Sequence, residues 1–154
     1  MRTIINLTFA AAIFMTFDID YIEGGMTVDQ IKSFMKPIGK KCREKIGLDP
    51  ELQAGQHRGE FPEDEKLMCY HACLYDTVKV TDKNGVANAD VVIRQMEIMF
   101  PEGIKQIGIA GVKKCNEQFH VDDTSVLTPQ EVCRANYNYM KCYYMEAHEA
   151  FFFP

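Results

Sequence analysis

From residue 26 onward, apolar side chains recur every three or four positions, the period of a helix rather than a strand. Over 26–47, Ile31, Phe34, Met35, Ile38, Cys42 and Ile46 share one face. Thr27 stands where an N-cap should, and Gln30 three residues on completes a capping box. Pro37 should bend this helix, because it removes one backbone hydrogen bond. A short helix over 48–59 has Asp49 as cap, Pro50 at its first position and Gly59 at its end. The stretch 63–80 opens with acids after Pro62, which favours a helix start. Asn84-Gly85 marks a turn at 82–85. A helix over 88–100 carries Val92, Met96 and Met99 on one face and stops at Pro101. The helix over 102–119 is weaker, since Gly108 and Gly111 cost roughly 1 kcal/mol each against Ala. Both glycines would let another helix come close. Over 128–150, Thr128, Pro129 and Glu131 give the strongest helix start in the chain. Only Val78 to Thr81 reads as a short β-like run, so the expected class is all-α.

The N-terminus changes the picture. Residues 1–17, "MRTIINLTFAAAIFMTF", hold one basic residue and then an apolar run of about 14. A membrane span needs about 20 such residues. Asp18, Asp20 and Glu23 follow directly, so residues 1–25 read as a cleaved secretory signal and 26–154 as a single domain. That domain carries 16 basic and 19 acidic residues, a net charge of −3. Such a balance argues against nucleic acid as a partner. No basic amphipathic stripe for a membrane surface stands out, and no membrane insertion is expected.

All six cysteines lie in the secreted part, which reads as three disulfides. Six cysteines allow 15 pairings, and spacing does not choose among them. Each bridge would stabilise by roughly 3–4 kcal/mol. The segment "CYHACLYD" (69–76) invites a metal reading, but helical geometry opposes it. Cys69 and Cys73 fall about 40° apart, whereas His71 lies about 160° from either. No other pair is spaced as zinc ligands, so no metal is expected. His71, turned away from the cysteines, is expected in solvent. Cys133 and Cys142 are nine residues apart, about half a turn net. They point to opposite sides, which would place the last helix in the middle of the domain.

The cysteine string is Cys42-x26-Cys69-x3-Cys73-x41-Cys115-x17-Cys133-x8-Cys142. It resembles the insect odorant-binding protein family, which includes pheromone-binding and general odorant-binding proteins. The x3 and x8 intervals match that family's fixed spacings. "FPEDEKLMCYHAC" (61–73) is similar to its third-helix segment, and "KNG" before a helix is similar too. The x17 interval is longer than is usual there, with "HVDDTSVL" (120–127) as the extra loop. The resemblance implies a six-helix bundle stapled by disulfides around an apolar cavity. It implies the pairing Cys42–Cys73, Cys69–Cys133 and Cys115–Cys142. It also implies a secreted carrier of small hydrophobic odorants or pheromones that delivers them through aqueous fluid to receptors. A membrane odorant receptor is then a further partner, and the chain is a monomer or weak homodimer. No cofactor and no catalytic residue are implied.

The residues support a carrier on their own terms. Phe34, Met35, Met96, Met99, Phe119, Tyr137 and Met140 are soft or flat side chains on the apolar stripes, and methionine adapts to varied ligands. Periodicity alone does not separate a filled core from a lined cavity. Burying about twelve carbons gains roughly 10 kcal/mol gross at 0.8 kcal/mol per CH₂, against association costs, for affinities near micromolar. Tyr137 and Tyr144, close together on the last helix, are candidates to bond a ligand oxygen. In "EAFFFP" (149–154), Phe151, Phe152 and Phe153 would be an exposed liability, so they are expected to fold over the cavity mouth as a lid. Two alternatives use the same features. One is a non-olfactory scavenger in saliva, seminal fluid or haemolymph. The other is a phospholipase A2-like enzyme, which fits poorly. That family places paired cysteines before its histidine and an acid directly after it, whereas Ala72 follows His71 and Asp76 lies five residues on.

Overall fold

The computed structural model describes residues 25–154. The expected signal segment, apart from Gly25, lies outside the described residues. Six α-helices make up the bundle: α1 (Val28–Ile46), α2 (Pro50–Gly55), α3 (Glu65–Thr77), α4 (Ala89–Met99), α5 (Glu102–Phe119) and α6 (Pro129–Ala147). Single 3₁₀ turns follow α2, precede α6 and, at His148–Ala150, follow α6. The β-like run contributes one isolated bridge, Thr81 to Ala87.

Local chemistry sets the helix ends. The Gln30 backbone N–H donates to Thr27 Oγ1 (3.2 Å), and the Thr27 N–H donates to Gln30 Oε1 (2.8 Å). Thr128 and Glu131 form the same reciprocal pair at α6. Asp49 and Asn88 cap α2 and α4. Helix α3 starts two residues later than its acids suggest, because Asp64 rather than Glu63 caps it. It ends at Thr77, and Lys79 then takes a left-handed φ of 59° that turns the chain toward α4. Helix α1 continues through Pro37.

Helix α6 occupies the middle, packed most extensively on α3 and then on α5. The glycines of α5 explain how closely α6 can lie. A methyl on Gly111 would stand 2.7 Å from Ala147 Cβ, and one on Gly108 would stand 3.2 Å from the Tyr143 hydroxyl. Three disulfides lock the layers: Cys42–Cys73 ties α1 to α3, Cys69–Cys133 ties α3 to α6, and Cys115–Cys142 ties α5 to α6. This is the pairing the resemblance implies.

His71 departs from expectation. It is 0% exposed, wedged between the rings of Tyr70 and Tyr137 at 5.5 and 5.8 Å. Helix α3 is packed by α6 most extensively and by α1 as well. The cover reaches round to the face that holds His71, where Tyr137 of α6 lies against its ring.

Candidate functional site

An apolar cavity of about 70 Å³ lies where α1, α3 and α4 meet the end of the chain. Ile31 and Met35 supply its α1 wall, with Phe34, 45% exposed, at the rim. Val92, Met96 and Met99 supply the α4 wall. Tyr75 and Val78 reach in from the end of α3, with Val80 just beyond. Phe100, Phe152 and Phe153 close the space. The helical period produces these walls directly, since each residue set recurs at three- and four-residue steps on one face.

Two polar groups interrupt the lining. Gln95 is committed to the backbone, donating from Nε2 to the Val78 carbonyl (3.0 Å). Tyr75, 2% exposed, has only the thioether of Met140 as acceptor for its hydroxyl among the described residues, at 3.7 Å. Thioether sulfur is a weak acceptor. Burial, with Tyr139 and Tyr143 nearby, pushes the Tyr75 phenol well up, so it stays a protonated donor.

Five of the candidates named from sequence meet at this cavity: Phe34, Met35, Met96, Met99 and Phe152. Met140 sits fully buried behind Tyr75. Phe119 lies elsewhere, 40% exposed beside the loop that follows α5. Tyr137 donates its hydroxyl to the carbonyls of Phe61 (2.5 Å) and Pro62 (2.8 Å), anchoring the segment before α3. Tyr144 packs on Phe61 and Phe151, and its hydroxyl donates to the His57 carbonyl at 3.4 Å. Neither Tyr137 nor Tyr144 lines the cavity. Tyr75 was legible only as one more apolar position of α3. Its hydroxyl matters because the chain folds so that α3 ends at the cavity wall.

The tail folds back onto the cavity, with Phe152 and Phe153 in its wall. It threads into the bundle. The Tyr143 hydroxyl donates to the Ala150 carbonyl (2.9 Å) and turns the chain inward. Phe151 then packs edge-on against Tyr144 and His57, outside the cavity. Phe152 meets Phe100 at 5.6 Å, and Phe153 meets Tyr75 at 6.0 Å. The Tyr70 hydroxyl donates to the Pro154 carbonyl oxygen at 2.6 Å. The tail thus fills space that would otherwise belong to the cavity. An apolar cavity of roughly 150 Å³ suffices for benzene, about twice what remains here.

A row of positive charge that the sequence reading did not single out runs along α1. Lys32, Lys36, Lys40 and Arg43 follow one another along the outer side of α1, spaced by three or four residues. Three of them border an open groove beside Pro154.

Comparison with known proteins places this geometry. The PBP/GOBP family profile matches residues 25–146. General odorant-binding protein 72 of Anopheles gambiae is 24% identical over 129 residues, 84% of this chain and 99% of that protein. General odorant-binding protein 19a of Drosophila melanogaster is 25% identical over 96 residues, 62% of this chain and 65% of that protein. Among solved structures, odorant binding protein 5 of Apis mellifera superposes with a TM-score of 0.70 at 32% identity, covering 84% of this chain and 99% of that one. Odorant binding protein 4 of Chrysopa pallens superposes with a TM-score of 0.63 at 28% identity, covering 82% and 97%.

Proposed function

The chain belongs to the PBP/GOBP family, and from that membership and the cavity we propose that it is a soluble carrier of small hydrophobic odorants, with its own tail as the resident plug of the binding site. The single observation that carries this reading is the wall of the cavity. It is apolar apart from Tyr75 and Gln95, and two of its members, Phe152 and Phe153, come from the tail. Ile31, Met35, Val92, Met96 and Met99 would contact the ligand's hydrocarbon, and Phe34 would mark the entrance. The Tyr75 hydroxyl would exchange its weak sulfur contact for a ligand oxygen. Secretion is supported by three disulfides and the N-terminal apolar run. No helix among the described residues is long and apolar enough to cross a membrane.

The energetics suit a plug that can leave. Burying three phenylalanines gains roughly 1.5–3 kcal/mol each. Ordering the backbone of residues 151–154 costs roughly 1–2 kcal/mol per residue. The two sums are similar, so docking of the tail is marginal. A ligand of about twelve carbons brings roughly 10 kcal/mol gross and can take its place. The tail then lowers apparent affinity by the fraction of time it occupies the site.

The test is uptake of a fluorescent apolar probe such as N-phenyl-1-naphthylamine, followed by stopped flow, in the full chain and in a chain ending at Ala150. Both should bind, with micromolar displacement by a twelve-carbon alcohol. The shortened chain should take up probe several-fold faster. Failure of both forms to bind any apolar probe overturns the carrier reading. Identical uptake rates overturn the plug.

A further inference from the structure

Tyr70 is 0% exposed and belongs to a polar relay that the carrier reading does not use. Arg43 donates to Gln53 Oε1 (3.0 Å), and Gln53 Nε2 donates to the Tyr70 hydroxyl oxygen (3.0 Å). Because that oxygen already accepts from Gln53, its proton points the other way, and Arg43 behind the amide strengthens it as a donor. Its acceptor is the Pro154 carbonyl oxygen, 2.6 Å away. Gln53 is itself buried, so the relay is a built feature rather than a surface accident.

The surroundings of that oxygen are cationic. Pro154 lies in an open groove bordered by Lys36, Lys40 and Arg43, with His57 also in its lining. Lys40 has a loose partner in Glu44 at 3.9 Å. Neither Lys36 nor Arg43 is paired with a carboxylate among the described residues. The immediately preceding residues, Phe152 and Phe153, stand in the wall of the apolar cavity. Residues 152–154 therefore join the two places: apolar groups in the cavity and an oxygen acceptor at Tyr70, beside a groove bordered by three positive side chains.

We propose that the tail marks out the shape of the preferred ligand, and that Tyr70, together with the groove beside Pro154 that Lys36, Lys40 and Arg43 border, forms a head-group subsite for long-chain carboxylic acids. The hydrocarbon chain replaces Phe152 and Phe153, and a ligand carboxylate oxygen replaces the Pro154 oxygen at Tyr70. A carboxylate oxygen is a strong acceptor for a phenol and gains from the cations that border the groove. Gly39 lies against Pro154 and beside the Tyr70 hydroxyl. A methyl there would fall on the Pro154 ring and stand 3.0 Å from the Tyr70 hydroxyl. This inference rests on the carrier reading and adds the class of ligand.

The experiment compares dodecanoic acid with methyl dodecanoate as displacers of N-phenyl-1-naphthylamine from the full chain at pH 7.5. The acid should displace at a concentration at least tenfold lower than the ester. Tyr70→Phe should bring the two within about twofold of each other, whatever loosening of the tail does to both. Lys36→Gln, an exposed change that leaves packing alone, should cut the preference several-fold and so serves if Tyr70→Phe folds poorly. Equal displacement by acid and ester from the full chain overturns the head-group subsite while leaving the carrier reading standing. A preference that survives both variants overturns it as well. A full chain that binds neither the probe nor the ester overturns the carrier reading instead.

Discussion

His71 is the residue whose burial has the plainest consequence. Neither of its ring nitrogens has a hydrogen-bond partner among the described residues, and burial lowers its pKa from 6.5 to about 3. The unfolded chain therefore accepts a proton below pH 6.5 that the folded chain refuses. Its stabilising share is whole above pH 6.5 and drains away as pH falls toward 3. Each unit costs about 1.4 kcal/mol, so His71 alone removes about 2 kcal/mol between neutral pH and pH 5. In His71→Phe, urea unfolding should lose about 2 kcal/mol less than the parent chain on going from pH 7 to pH 5. Equal losses in both chains would show that His71 titrates freely in the fold. The same residue shows where sequence reading stops. A helical wheel says that His71 faces away from Cys69 and Cys73, but not how many sides of α3 have cover. Tyr137 and Tyr144 teach the same lesson. Their proximity on α6 was legible, whereas the carbonyls that take their protons come from segments about 75 and 87 positions away along the chain.

Among the elements, α1 shows how a helix can be built for a neighbour rather than for itself. Its start was legible, because Thr27 and Gln30 satisfy backbone donors locally. Thr128 and Glu131 made α6 legible for the same reason, and the glycines of α5 announced a close approach. Gly39 gave no such signal. It sits in mid-helix with ordinary helical geometry, where Ala would be favoured by roughly 1 kcal/mol. Its purpose appears only with Pro154 lying across it. Gly39→Ala should leave helicity and thermal stability unchanged or slightly raised, because α1 gains what the tail contact loses. It should nevertheless dislodge Pro154 and quicken uptake of an apolar probe toward the rate of the chain ending at Ala150. Probe uptake at the parental rate would mean that the tail docks without that ledge.

At the scale of the molecule, class and helix order were readable, because periodicity and caps are local properties of the chain, whereas the cysteine pairing came only with the resemblance to the family. The cavity was not readable, since Met96 or Met140 satisfies the same period whether it faces a void or a neighbour. Met96 lines the cavity, and Met140 is packed behind Tyr75. A bundle that must release a plug and admit a guest cannot rely wholly on its filling, and the crosslinks supply what the filling lacks. Cys69–Cys133 closes the longest loop, a separation of 64 residues, and joins the two most extensively packed helices. On the loop-entropy account its loss costs about 4 kcal/mol, chiefly by freeing the unfolded chain. A Cys69→Ala, Cys133→Ala double variant should thus unfold at lower urea by that margin, with a larger m-value from a more open unfolded state. Its unfolding rate should change little, because the folded packing of α3 on α6 remains. Its affinity for an apolar probe should stay near the parental value under conditions where it is folded. A loss under about 1 kcal/mol, or an unfolding rate that carries the whole effect, would move the stabilisation from the crosslink's hold on the unfolded chain to the packing itself.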